Sequence, residues 1–149
     1  FLLCGLGMDG ANTQLQGWLE QADLGPSFSL LGPRDDVARV LSALDLFVSS
    51  SAYGEGFSNA LGEAMACGVP CVVTDVGDSG LIVGDTGATV PPRDAGALAQ
   101  GMLDLLAEDP EQRAQRGQAA RARVASEYAL PRIAGRYAEL YQSLRRQAH

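Results

Sequence analysis

Residues 49–70 read SSSAYGEGFSNALGEAMACGVP and contain the end of a strand, a glycine-containing loop and the beginning of a helix. A helix is predicted over Phe57–Cys67, because apolar residues recur at the spacing i, i+3, i+4, i+7 and i+8. The side chains expected to face the core are Phe57, Ala60, Leu61, Ala64 and Met65. Gly68 ends this helix, and Pro70 prevents it from resuming.

Outward from this helix, strand-like and helix-like segments alternate. Strands are predicted at residues 1–5, 28–31, 46–50, 71–74 and 88–90, and helices at 12–22, 35–44, 94–107, from 109 onward and at 131–146. Such alternation indicates βαβ units with buried strands. We therefore predict one α/β domain: a Rossmann-like, doubly wound parallel sheet with additional C-terminal helices. Ligands bind such folds where strand C-termini meet helix N-termini.

Composition excludes several functional classes. The 149 residues carry a formal net charge of −7, and every basic residue is an arginine. A nucleic-acid partner is not expected, because phosphate neutralisation needs a basic surface. No apolar run has the length of a membrane span. The cysteines Cys4, Cys67 and Cys71 are expected to be buried and reduced, which suits the cytoplasm.

The loop before the predicted helix suits an anion such as a phosphate. The first helical amides lack intrahelical partners, and the helix dipole is positive there. Glu55 would repel a phosphate but could accept hydrogen bonds from sugar hydroxyls beyond it. Asn59 and Glu63 share a polar face, where the Glu63 carboxylate could hold a ribose diol. The alternative is an ordinary glycine loop followed by a solvated helix face.

The segment from Glu55 to Pro70 resembles the E-x7-E signature of the GT-B glycosyltransferases of family 4. It has both glutamates, the GF pair, the EAMA run and the GVP turn; residues 72–80 and 87–92 are also similar to the family. Gly77-Asp78 stands where the family often has two glycines. The resemblance covers essentially the whole chain. It implies a donor-binding domain over residues 1–149, lacking its first strand–helix unit and the N-terminal acceptor domain.

The resemblance also implies roles for individual residues. Glu55 is expected to be the acid of the catalytic site, contacting donor-sugar hydroxyls without acting as a nucleophile, and Glu63 is expected to bind the ribose. Backbone amides are expected to hold the sugar and diphosphate at Gly56, Phe57, Ser58, Asn59 and Ala60. Gly5 and Gly7 resemble a glycine loop after an earlier strand. Gly32 and Arg34 resemble the loop beside the nucleobase, although Arg34 has a solvated surface position as its alternative.

The activity implied is transfer of a sugar, of the hexosyl type, from a nucleotide diphosphate to an acceptor hydroxyl with retained anomeric configuration. No metal or other cofactor is expected, and Asp35-Asp36 is interpreted as a helix start. The basic residues that neutralise the donor diphosphate are expected upstream of Phe1. The isolated chain should therefore bind a nucleotide weakly and transfer nothing. Bacterial surface-polysaccharide or lipopolysaccharide synthesis is the setting that the family suggests.

Three alternatives stay open at this point. A GT-B epimerase would share the architecture but has a different signature, whereas a phosphorylase needs a cofactor-binding lysine that this chain lacks. A non-catalytic nucleotide-binding module is the second. Third, four arginines of the last helix could meet anionic lipid at the inner face of the plasma membrane: Arg132, Arg136, Arg145 and Arg146. Against this lipid contact stands a solvated face packed on the domain through Ile133, Tyr137 and Leu140.

Overall fold

The computed structural model describes residues 1–147. The chain forms two compact units, Phe1–Val37 and Ala38–His149, each with its own parallel sheet. Parallel strands joined by helices are what the sequence predicted, and a parallel pair needs a crossover connection of this kind.

The first unit is a βαβ arrangement. It contains β1 (Leu2–Cys4), α1 (Thr13–Gln21), a single 3-10 turn (Gly25–Ser27) and β2 (Ser29–Gly32). The strands pair in parallel, with Leu3 opposite Leu30. The expectation of a buried first strand is wrong within this unit, because Leu2 and Cys4 are exposed. Two strands and one helix cannot cover both faces of a sheet.

The second unit holds the remaining elements. They are α2 (Val37–Leu41, whose first residue belongs to the first unit), β3 (Phe47–Ser49), α3 (Asn59–Ala66), β4 (Cys71–Thr74), α4 (Ser79–Val83), a 3-10 turn (Gly84–Thr86), β5 (Ala88–Val90), α5 (Ala95–Ala107), α6 (Pro110–Glu127) and α7 (Leu130–Gln147). Strand β4 lies between β3 and β5, and both pairings are parallel.

The core of the second unit is built around β4, which is buried along its whole length. Leu61 and Met65 of α3 and Ile82 of α4 are fully buried, and Leu105 of α5 packs with Val72 of β4. A Cβ on Gly117 of α6 would lie 2.0 Å from the Gly68 carbonyl oxygen. Glycine at 117 therefore lets α6 lie directly on the turn that ends α3.

Helices α5 and α6 begin within one residue of their predicted starts, and each has an aspartate at its N-cap. The Asp94 carboxylate accepts from the Ala97 amide at 2.8 Å. The Asp109 carboxylate accepts from the Gln112 amide at 2.8 Å. The Asp109 amide in turn donates to the Gln112 side chain, which completes a capping box. Pro110 occupies the first turn, where its missing N–H costs no hydrogen bond.

The predicted start of α3 is wrong by two residues. The helix begins at Asn59, so Phe57 belongs to the loop and is 45% exposed. Ala60 is also exposed, whereas Leu61, Ala64 and Met65 are buried as predicted. Only these three face β4 and its neighbours. Phe57 fits the helical period, but its ring contacts another aromatic ring and does not enter the core. Helix α2 is likewise shorter than predicted, and α4 was not predicted.

The last helix differs from its expected packing. Tyr137 and Leu140 were expected to pack on the domain, yet they are 56% and 50% exposed. Ile133 is half-buried, so contact is concentrated near the beginning of α7. None of the helices within residues 1–147 combines the length and apolar character that a bilayer crossing requires.

The cysteines are free but not equally buried. Cys71 on β4 is buried, and this burial raises its pKa to about 12. Cys67 is half-buried and Cys4 is exposed, so the expectation of three buried thiols holds for Cys71 alone.

Candidate donor-binding site

The loop between β3 and α3 fixes the Glu55 side chain. The Ser51 hydroxyl donates to Glu55 Oε1 at 2.6 Å. The Ser51 carbonyl in turn accepts from the Thr74 hydroxyl at 2.6 Å, and Thr74 is the last residue of β4. A distance of 2.6 Å is typical of a charge-assisted O–H···O⁻ bond. Glu55 is thus half-buried and connected to the central strand through Ser51.

The loop after β4 fixes the Glu55 backbone. Gly77 has φ +57°, and a Cβ on it would lie 2.1 Å from the Glu55 carbonyl oxygen. Only glycine satisfies both conditions. The next residue, Asp78, has φ −92°, which any residue adopts. This difference explains why aspartate is tolerated at the second position, where the family often has a second glycine.

The N-terminus of α3 lacks a side-chain cap. Ser58 occupies the N-cap position in an extended conformation and is buried, but its hydroxyl makes no capping hydrogen bond. The first helical hydrogen bond runs from the Gly62 amide to the Ser58 carbonyl at 3.0 Å. No group in the described part of the chain accepts from the amides of Asn59, Ala60 or Leu61. Asn59 and Ala60 are exposed, so their amides are available to an anion, whereas Leu61 is fully buried.

The outer face of α3 carries the second predicted acid. Asn59 and Glu63 are exposed and lie opposite the buried side chains of Leu61 and Met65. Neither side chain makes a hydrogen bond within residues 1–147, so both are available to a ligand. Gly56 and Phe57 lie in the loop instead of the helix, and Glu55 lies one residue before them. The binding roles of these residues stay predictions.

The Phe57 ring packs beside Gly62 of α3 and against Tyr128. Its ring lies 5.4 Å from the Tyr128 ring in a tilted arrangement. A Cβ on Gly62 would lie 3.2 Å from the Phe57 ring, so glycine at 62 makes room for it. Tyr128 follows α6 and is more than seventy positions away, which is why the local pattern did not identify this contact.

The predicted glycine loop at Gly5 and Gly7 and the predicted nucleobase loop at Gly32 both lie in the first unit. The Gly5 amide donates to the Gly32 carbonyl at 3.0 Å, and the Gly32 amide donates to Met8 at 2.7 Å. Gly5, Gly7 and Gly32 all have positive φ. The structure thus brings the two predicted loops together within this unit.

Arg34 is engaged by a neighbouring acid. Its guanidinium donates to both carboxylate oxygens of Asp36, at 2.6 and 2.7 Å. These hydrogen bonds, and the attraction between the two opposite charges, raise the pKa of Arg34 and lower that of Asp36. Both side chains are exposed, which matches the solvated alternative for Arg34; its contact with a nucleobase stays a prediction.

Metal-ligand groups and a second groove bear on other kinds of chemistry. Within the described residues, no group of three or more histidine, cysteine, aspartate or glutamate side chains is arranged to hold a metal ion. An open groove of about 400 Å³ lies along α6 and includes Glu108 and Arg116. These two side chains form an ion pair, and the groove shares no residue with the α3 site.

This architecture is that of the C-terminal domain of a GT-B glycosyltransferase. The chain belongs to the family described as "Glycosyl transferases group 1", whose sequence model matches residues 1–108. That membership confirms the predicted family and the Rossmann-like α/β class.

Individual relatives agree with the family assignment. The chain is 36% identical to N-acetyl-alpha-D-glucosaminyl L-malate synthase of Bacillus anthracis over 118 residues, 78% of this chain and 30% of that protein. It is 31% identical to the lipopolysaccharide core biosynthesis mannosyltransferase LpsB of Rhizobium meliloti, over 90% of this chain and 39% of that protein. The chain therefore spans about a third of the length of these relatives.

A solved structure shows the same fold. Anabaena Alr3699/HepE, crystallised in complex with UDP-glucose, superposes with a TM-score of 0.82 and 25% sequence identity. The match covers 95% of this chain and 40% of that chain.

Proposed function

We propose that this chain forms the donor-binding half of a retaining glycosyltransferase that uses a nucleotide diphosphate sugar. The observation that carries the proposal is the uncapped N-terminus of α3, together with a Glu55 carboxylate that Ser51 fixes in the loop leading into this helix. A helix start with free amides attracts the diphosphate, and a fixed carboxylate next to it recognises sugar hydroxyls. Glu63, on the exposed face of the same helix, would bind the ribose.

The chemistry follows from the charges that develop during transfer. The bond between the sugar and the diphosphate breaks, so negative charge grows on the leaving diphosphate and positive charge grows on the sugar ring. The exposed amides of Asn59 and Ala60 are oriented before the reaction. They would stabilise the leaving group without reorganisation, which is an effective form of catalysis.

We further propose that transfer needs no metal ion, because the helix amides and basic residues elsewhere in the protein supply the charge. Full activity of the enzyme after dialysis against EDTA is expected. Loss of activity that added Mg²⁺ or Mn²⁺ restores would contradict this part of the proposal.

The donor and the setting are inferred from similar proteins. The Anabaena structure in complex with UDP-glucose supports a nucleotide diphosphate hexose as donor. The Rhizobium mannosyltransferase supports a role in lipopolysaccharide or other surface-polysaccharide synthesis. Such a role would place the enzyme in the cytoplasm, at the inner face of the membrane, where α7 could make a peripheral contact. Neither relative named above is an epimerase, and no observation favours a purely nucleotide-binding module.

We also propose that the 149 residues alone do not transfer sugar. The acceptor must be held opposite the donor, and this chain spans only 30% and 39% of the two relatives named above. Binding of nucleotide without turnover is the expected result. Measurable transfer by the 149-residue chain would contradict it.

The test of the donor site is a calorimetric binding panel of UDP, GDP and ADP, each with and without a hexose. Glu63→Gln should weaken binding of the preferred nucleotide about tenfold, because one charge-assisted hydrogen bond is lost. The control is Glu20→Gln, an exposed glutamate on α1 without a side-chain hydrogen bond in the described residues. If Glu63→Gln binds every nucleotide as tightly as the wild type, the ribose role is wrong.

The stereochemical part needs a separate measurement. We expect the anomeric proton of the first-formed product to show the same configuration as the donor sugar in a proton NMR time course. An inverted product would contradict retention while leaving the donor site intact.

A further inference from the structure

We infer that Ser51 is a positioning residue for Glu55, and that it contributes to recognition of the donor sugar but not of the nucleotide. The inference rests on the proposed function, since it assigns Glu55 to the sugar. It adds a residue that lies outside the segment Glu55–Glu63 and touches no proposed ligand group.

The first observation is the hydrogen bond between the two side chains. The Ser51 hydroxyl donates to Glu55 Oε1 at 2.6 Å, and the contact is partly buried. A carboxylate offers about four acceptor positions. Ser51 occupies one of them and leaves the other oxygen, Oε2, to accept from sugar hydroxyls. It also fixes the rotation of a side chain that otherwise has three free torsions.

The second observation is the support behind Ser51. The Ser51 carbonyl accepts from the Thr74 hydroxyl at 2.6 Å, and Thr74 is 3% exposed. Thr74 ends β4, the central strand of its sheet. The position of Ser51 is therefore set by the buried central strand, and Ser51 transmits that position to Glu55.

The third observation is the contact between Gly77 and the Glu55 backbone, described above. With the backbone held by Gly77 and the side chain held by Ser51, Glu55 is ordered before any ligand binds. Ordering a rotamer-rich side chain on binding weakens affinity, and a residue that is already ordered avoids that penalty.

The experiment measures two dissociation constants for the full-length gene product that carries this chain. One is for the nucleoside diphosphate that binds best among UDP, GDP and ADP, and the other is for that nucleotide bearing its hexose. Ser51→Ala should reduce the preference for the sugar-bearing form about tenfold and leave the bare nucleotide unchanged. Ser51→Thr keeps a hydroxyl and should restore most of the preference.

The control is Ser50→Ala. Ser50 is adjacent and exposed, and its side chain makes no hydrogen bond in the part of the chain that the structure describes. It should behave as wild type. A melting curve for each variant, together with unchanged binding of the bare nucleotide, shows that the fold is intact.

A double-mutant cycle tests whether Ser51 acts through Glu55. Glu55→Gln alone should remove most of the sugar preference, and Ser51→Ala should add nothing in its presence. Additive losses, or a Ser51→Ala variant that keeps the wild-type preference, would overturn the inference while leaving the donor site standing. If the wild type itself shows no preference for any sugar-bearing nucleotide, the proposed function fails, and this inference fails with it.

Discussion

Helices α3 and α5 both follow a strand of the same parallel sheet, but only α5 has a side-chain cap at its N-terminus. In α5 the Asp94 carboxylate accepts from the Ala97 amide, so one of the first helical donors has a partner in the N-cap. In α3 the Ser58 hydroxyl makes no such bond, and the amide at the equivalent position, Leu61, has no partner in the described residues. An uncapped helix is less stable than a capped one. The comparison fits the proposed function: α3 gives up local stability at the proposed diphosphate site, whereas the N-terminus of α5 is capped.

The largest effect is expected at Gly77, which supports the α3 site from the neighbouring loop. Gly77→Ala combines a left-handed backbone with a Cβ only 2.1 Å from the Glu55 carbonyl oxygen. We expect a loss of about 2–4 kcal/mol in the free energy of unfolding, from strain and overpacking together. Urea denaturation measures it.

The matched control for Gly77→Ala lies in α5. Gly96 has an ordinary helical backbone, and its added Cβ would approach the Asp94 carboxylate no closer than 3.4 Å. Gly96→Ala should therefore be neutral or stabilise by about 0.5–1 kcal/mol. A Gly77→Ala variant as stable as the wild type would show that the loop after β4 does not support Glu55.

A smaller change in the free energy of unfolding is expected from substitutions at the two N-caps themselves. Asp94→Ala should lower the free energy of unfolding by about 1 kcal/mol, because it removes a working cap. Ser58→Ala should change it by only a few tenths, because no capping bond is lost. Parallel thermal melts compare the two variants. Equal losses would mean that Ser58 caps α3 in solution and that the comparison is mistaken.

The smallest change in stability is expected from breaking the Arg34–Asp36 ion pair in the first unit. The folded state lowers the Asp36 pKa, so any stabilisation from this pair is present above the ordinary carboxyl pKa of about 4. It is lost only as the pH falls through the lowered value. Because both side chains are exposed and solvent screens them, Asp36→Asn should melt with the wild type from pH 5 to pH 8. A clear difference in melting temperature between pH 5 and pH 8 would show that the ion pair with Arg34 does stabilise the fold.

Local features of the fold could be predicted from the sequence, because the residues that form them lie within a few positions of each other. The starts of α5 and α6 and the buried face of α3 at Leu61, Ala64 and Met65 are of this kind. Phe57 was placed wrongly, since it contacts Tyr128, a residue that follows α6 and is distant in the sequence.

The parts of the site that escaped prediction depend on contacts between separate loops. Ser51 meets Thr74 across more than twenty residues, and Gly77 meets Glu55 from the other side of β4. No periodicity or spacing encodes such pairs. The candidate acids could be named from the sequence, but the means of holding Glu55 could not.

The most direct test of the account is a titration of the ¹⁵N-labelled protein with the nucleoside diphosphate that binds best, followed by amide chemical shifts. We expect the largest shifts at Asn59, Ala60 and Leu61, and no comparable shift at the capped first turn of α5 over residues 95–97. Shifts confined to α5, or an α3 N-terminus that does not respond at saturating nucleotide, would contradict the claim that the uncapped helix holds the diphosphate.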